Sequence, residues 1–104
     1  MSAPERGEIW LVDLGMAAKV RPCLVPSIPV LDTERALTTS IGHTTAQRST
    51  RFEVPIRLPF LRDGVFDIQN KITVPHAKYI RKLGKLTDAQ LQMIENVVRL
   101  WLHL

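Results

Sequence analysis

The chain has 104 residues, 45% of them hydrophobic and 23% charged, the balance of an ordinary globular domain and not of a disordered chain. That length leaves room for one domain, expected over residues 1–104, and no apolar run approaches the roughly 18–20 residues that span a bilayer. With no secretory leader pattern at the start and a single cysteine, Cys23, which excludes an intrachain disulfide, a reducing cytoplasm is the expected compartment.

The net charge of +4 is unevenly spread. Residues 48–85 hold nine Lys or Arg against three Asp or Glu, whereas the segments on either side are each slightly acidic. A basic middle between slightly acidic ends is the distribution expected of a face that meets phosphates.

In chain order, Glu8–Asp13 is a short β-rich run bounded by Gly7 and Gly15 and reads as a strand buried on both faces. Residues 21–26 form a second strand, bracketed by Pro22 and Pro26 because proline cannot donate to a ladder, and a short hairpin-like connection over residues 14–20 joins the two. After a half-turn at 33–36, residues 37–43 predict a third strand with Leu37, Thr39, Ile41 and His43 on one face. The clearest alternation is at 51–58, where Phe52, Val54, Ile56 and Leu58 interleave with Arg51, Glu53, Pro55 and Arg57. Pro55 assigns that strand to a sheet edge or a bulge. Asp63-Gly64 marks a turn, residues 65–69 a fifth strand, residues 71–74 a sixth, and residues 76–82 a single helical turn.

Thr87-Asp88-Ala89-Gln90 has the capping-box pattern, and a helix is expected from there to the C-terminus. Leu91, Ile94, Val98 and Trp101, flanked by Val97 and Leu102, make the broad apolar stripe of a helix packed on a sheet. The expected architecture is therefore α+β: a small SH3-like, strongly twisted antiparallel β-barrel with a C-terminal α-helix.

The chemistry-bearing residues are few. His43, His76 and His103 are far apart, with no metal-ligand spacing around them, so neither a metal nor another cofactor is implied. Cys23, between Pro22 and Leu24, reads as a buried, inert thiol. Arg21 precedes a proline that restricts its backbone to extended geometry, which presents a guanidinium from a stiff mount suited to a phosphate or a phosphorane transition state. His43 and Thr45 share strand parity, about 7 Å apart along the backbone, so two proton-handling groups are placed side by side.

Four pieces, Arg6-Gly7-Glu8-Ile9-Trp10-Leu11-Val12-Asp13, Arg21-Pro22-Cys23-Leu24-Val25, Thr45-Ala46-Gln47 followed by Arg51-Phe52-Glu53-Val54, and Leu83-Gly84-Lys85-Leu86-Thr87, together resemble the MazF/PemK family of toxin endoribonucleases over residues 6–102. The resemblance implies the toxin of a type II toxin–antitoxin pair: a homodimeric, metal-independent mRNA interferase that cuts single-stranded mRNA at short sequences and is neutralised by a cognate antitoxin protein. It also implies that Arg21 and Thr45 are the catalytic pair. Arginine and threonine are poor bases at neutral pH, so His43 is the expected general base or acid beside them. Expected RNA contacts are Lys19, Gln47, Arg48, Gln69 and Lys71, near that pair or at strand ends on the basic side.

Two departures from the family pattern stand out. The 14–20 connection is shorter than the glycine-bearing segment that gates the RNA groove in the best-known members. Where some members carry an arginine and an aspartate on the fifth strand, this sequence has Phe66 and Ile68, with Asp67 on the opposite face, so that acid–base pair is expected to be absent. Two other readings compete: a non-catalytic toxin similar to the gyrase-inhibiting CcdB proteins, and a small RNA-binding barrel without chemistry. The first would depend on the end of the last helix, where residues 97–104 are expected to be occupied by packing.

Overall fold

The computed structural model describes residues 3–15 and 19–104. Six strands and one helix follow in chain order: β1 (Glu8–Asp13), β2 (Val20–Leu24), β3 (Leu37–Thr44), β4 (Glu53–Pro55), β5 (Val65–Pro75), β6 (Tyr79–Lys85) and α1 (Asp88–Leu102), with a 3-10 turn over His76–Lys78 between β5 and β6. The strands form one antiparallel sheet in the order β4-β5-β3-β2-β1-β6. The sheet is open, with β4 and β6 at its edges, so the expected barrel is not closed.

Both faces of the sheet carry core, which is why β1 reads as apolar throughout. Ile9, Leu24, Ile41, Phe66 and Ile68 point to the side covered by α1 and pack with Leu91 and Ile94. Trp10, Val12, Cys23, Val25, Val74 and Tyr79 form a second cluster on the other side. Burying the polar ends of its aromatic residues requires partners there. Tyr79 Oη donates to the Thr38 carbonyl at 2.9 Å, and Trp10 Nε1 donates to Glu8 Oε1 at 2.9 Å. The Glu8 carboxylate also accepts from Glu5 N and forms an ion pair with Lys82 at 2.9 Å.

Several expected boundaries shift. β2 starts one residue earlier than expected and ends before Pro26. β4 keeps only three residues of ladder, because Pro55 has no N–H to donate, although Ile56 and Leu58 still alternate into the core. The two strands expected at 65–69 and 71–74 are one continuous β5. The helical turn expected over 76–82 occupies only His76–Lys78. Tyr79 onward is the edge strand β6, whose outward Arg81, Lys82 and Lys85 blunt an otherwise open ladder. The 14–20 connection joins antiparallel neighbours, with Leu14 N donating to the Lys19 carbonyl at 2.8 Å, and its residues 16–18 lie outside the described residues.

The capping box forms as its sequence demands: Gln90 N donates to Thr87 Oγ1 at 3.2 Å, and Thr87 N donates to Gln90 Oε1 at 2.9 Å. The apolar stripe of α1 buries less than expected. Leu91 and Ile94 are core and Val97 and Val98 are partly covered, but Trp101 stays 42% exposed, its ring edge-on to that of Phe52, centroid to centroid 4.9 Å. Among the described residues no helix is long and apolar enough to cross a membrane.

Candidate active site

β2 and β3 pair through Cys23↔Gly42 and Leu24↔Ile41. Continuing that register toward the start of β2 sets Arg21 across from Thr44 and Val20 across from Thr45. Arg21, at the exposed start of its strand, and Thr45, just beyond the end of its own, line one cleft of about 380 Å³ together with His43 and Thr44. The mount of Arg21 is held from behind, since the buried Cys23 thiol donates to the Arg21 carbonyl at 3.6 Å. Burial pushes that thiol up to about 11, which leaves it protonated and inert at neutral pH.

A second cleft, of about 470 Å³, adjoins the first along Arg21, His43 and Thr44 and opens on the β5 side. Its walls depend on an irregularity that strand alternation cannot forecast. Ile41 pairs with Lys71 and His43 with Phe66, so residues 67–70 of β5 bulge opposite Gly42 alone. A side chain at 42 would crowd Asn70 Nδ2, 3.2 Å from the position of its Cβ. The bulge turns Asp67, Gln69 and Asn70 into the cleft, where Arg48 and Glu53 face them. Glu53 accepts from the backbone N–H groups of Thr50 and Arg48, each at 3.0 Å, and these bonds hold its carboxyl below the usual carboxylate range.

Burial along β3 does not alternate, because both faces are covered: Leu37 is exposed, while Thr38, Ser40, Ile41, Gly42 and His43 are all buried. Ile41 and His43 share the Phe66 side of the sheet, as their common strand parity requires. His43 is 5% exposed and packs edge-on against Phe66, and its Nε2 is buried with no hydrogen-bond partner among the described residues. Burial holds the imidazole below its ordinary value, so it is neutral at pH 7.

The expected RNA contacts divide. Arg48 and Gln69 line the second cleft with Arg21. Gln47 lines a separate depression beside Arg57 and Asp63, and Lys19 and Lys71 are exposed but line neither cleft. Phe66 and Ile68 are core, yet an acid is present in the site: Asp67, on the face opposite to theirs, faces the cleft that Arg21 shares. Alternation around the buried Phe66 and Ile68 was the signal for its direction, and what was missing was which face carries the site. The expected packing of residues 97–104 holds for Val97 and Val98 only; Leu104 is 83% exposed and Leu100 and Leu102 lie open. Among the described residues no group of three or more His, Cys, Asp or Glu side chains could hold a metal ion.

An open antiparallel sheet with one terminal helix and an arginine and a threonine converging on one cleft defines the class, and comparison with known proteins gives the family. Residues 5–102 match the family described as PemK-like, MazF-like toxin of type II toxin-antitoxin system, and the chain belongs to that family. Solved structures with the same fold include an endoribonuclease in complex with its cognate antitoxin from Mycobacterial species, 24% identical over 98% of this chain and 97% of that one, with a TM-score of 0.83. MazF from Deinococcus radiodurans is 18% identical, with both chains covered completely and a TM-score of 0.83. Mycobacterium tuberculosis toxin MazF-mt6 is 24% identical over 93% of this chain and 97% of that one, with a TM-score of 0.80.

Proposed function

We propose that this protein is a toxin endoribonuclease of the mRNA-interferase kind, a single domain over residues 1–104 that cuts single-stranded mRNA in the cytoplasm without a metal ion. The observation that carries the reading is the convergence of Arg21 and Thr45 on one cleft in a chain of this family. In the reaction the ribose 2′-oxygen bonds to phosphorus as the P–O5′ bond breaks. A base takes the 2′-OH proton, and the departing 5′ oxygen gains one. The products are a 2′,3′-cyclic phosphate and a 5′-OH.

Arg21 sits where its guanidinium meets the charge that builds on the phosphate, and the Thr45 hydroxyl donates to a phosphate oxygen. His43 is the proton acceptor of this scheme. It is neutral at pH 7, and its Nε2 lacks a partner that a 2′-OH would supply once the site opens to admit it. Arg48 and Gln69 contact the RNA from the second cleft, and Lys19, Gln47 and Lys71 contact it further out.

A homodimer and a cognate antitoxin complete the proposed assembly, supported by the toxin–antitoxin description of the family. The exposed end of α1 removes the packing argument against a CcdB-like inhibitor, but the family match favours the nuclease. The test is a digest of end-labelled single-stranded RNA in excess EDTA. Discrete fragments ending in 2′,3′-cyclic phosphate support the reading, and intact RNA after prolonged incubation contradicts it.

A further inference from the structure

The two clefts that meet at Arg21 differ in charge. The one on the β5 side sets two arginines, Arg21 and Arg48, against two carboxylates, Glu53 and Asp67. The other is lined by Arg21, Arg62 and Arg81 and by no acid. Neither Arg62 nor Arg81 is in an ion pair among the described residues, whereas the nearby Arg57 and Lys82 are neutralised by Asp63 and Glu8. The Arg62 and Arg81 side of the proposed scissile bond therefore carries the greater excess of positive charge.

Phe60 lines the same cleft. Its ring is 38% exposed and belongs to neither hydrophobic cluster, although Leu61 beside it packs on the core. The tip of the ring rests on the backbone of Gly84 in β6, where a Cβ would collide with it. Gly84 is absent from the glycines with positive φ, so the backbone there does not call for glycine; the space taken by the Phe60 ring does. An aromatic ring buttressed at its tip and open in a cleft of guanidinium groups has the composition of a single-strand binding platform, in which a base stacks on the ring while cations hold the adjoining phosphates.

We infer that the cleft between Arg21 and Gly84 is a nucleotide subsite, in which Phe60 stacks a base next to the cut and Arg62 and Arg81 bind the phosphates beyond it. The inference deepens the ribonuclease reading and rests on it for the path of the RNA. Phe60 then sets base preference on one side of the cut, and the two arginines supply affinity without sequence.

The test separates the inference from that reading by measuring binding and cleavage independently. Binding of a fluorescein-labelled, mixed-sequence 2′-O-methyl RNA, which has no 2′-OH to react, is followed by anisotropy at several salt concentrations. F60L is expected to weaken binding about five- to tenfold or more with an unchanged salt dependence. R62A and R81A are each expected to lower the slope of log K against log salt by about 0.7. G84A, which displaces the ring, is expected to behave as F60L. Sequencing the fragment ends of cleavable RNA should show F60L broadening the preference on one side of the cut. Wild-type affinity and wild-type cut sites in F60L, or unchanged slopes in R62A and R81A, would overturn the subsite. A wild-type protein that binds as described but cuts nothing would overturn the ribonuclease reading instead.

Discussion

The imidazole of His43 stands edge-on to the ring of Phe66, centroids 5.0 Å apart and planes at 70°. Phe66 is wholly buried, so this contact ties a proton-handling group to the core of the sheet. Burial disfavours the imidazolium, which gives two expectations of definite sign. If His43 accepts the 2′-OH proton, kcat/KM rises with pH through a value below the ordinary imidazole pKa of about 6.5 and is flat at neutrality. H43Q should lower the plateau and abolish that limb. Because the folded state resists protonation, stability should fall as pH drops below about 6.5 and level off below the folded pKa, and H43Q should flatten the dependence. Initial rates and thermal melts between pH 4.5 and 8 measure both; a rate profile identical in H43Q leaves His43 a neighbour of the site and no more.

Gly64 lies against the same ring. A Cβ there would collide with the Thr44 carbonyl and come within 2.9 Å of His43 Cε1, at the point where Thr44 pairs with Val65. G64A should therefore cost about 1–3 kcal/mol and reduce cleavage more than its loss of stability explains, since it moves His43 and Thr44 together. Urea denaturation beside the rate on folded protein separates the two effects.

Glu8 is a buried carboxylate whose two oxygens share three donors: Glu5 N and Trp10 Nε1 on Oε1, and Lys82 Nζ on Oε2. Burial alone would raise its pKa, but the hydrogen bonds from Lys82, Trp10 and the Glu5 backbone prevail and hold it below the usual carboxylate range. Its contribution is thus fully present above about pH 4.3 and is lost as pH falls through the lower, folded value. E8A leaves the Trp10 indole N–H without an acceptor and should cost about 2–3 kcal/mol at pH 7. The difference between wild type and E8A should shrink toward pH 3, as denaturation midpoints would show.

The helix stripe gives a graded expectation. I94A removes a fully buried side chain and should cost about 2–5 kcal/mol. W101A removes a larger but half-exposed ring that touches Phe52, and should cost less than I94A despite the greater volume deleted. Equal losses would mean that the end of α1 is more deeply packed than its exposure states.

The sequence made much of this architecture legible because its signals are local. Pro55 left β4 a sheet edge or a bulge, and the edge is what forms; Thr87 and Gln90 announced the helix start, and β1 declared both faces buried. What stayed hidden depends on relations between distant segments. Nothing in residues 65–74 distinguishes one bulged strand from two, yet the bulge opposite Gly42 is what turns Asp67 and Gln69 into the site. The pairing of β6 with β1 is likewise a tertiary event, which is why residues 79–82 read as a turn and the seat of Phe60 on Gly84 has no local signal. Arg21 and Thr45 were legible as residues, and their common cleft required the β2–β3 register.

The most direct measurement is the single-turnover cleavage rate of end-labelled single-stranded RNA in EDTA for the wild type, R21A and T45A, each shown to be folded. The account predicts cyclic-phosphate products from the wild type, loss of at least about a hundredfold in rate for R21A, and a smaller but clear loss for T45A. Wild-type rates in both variants, with the same fragments released, would contradict it.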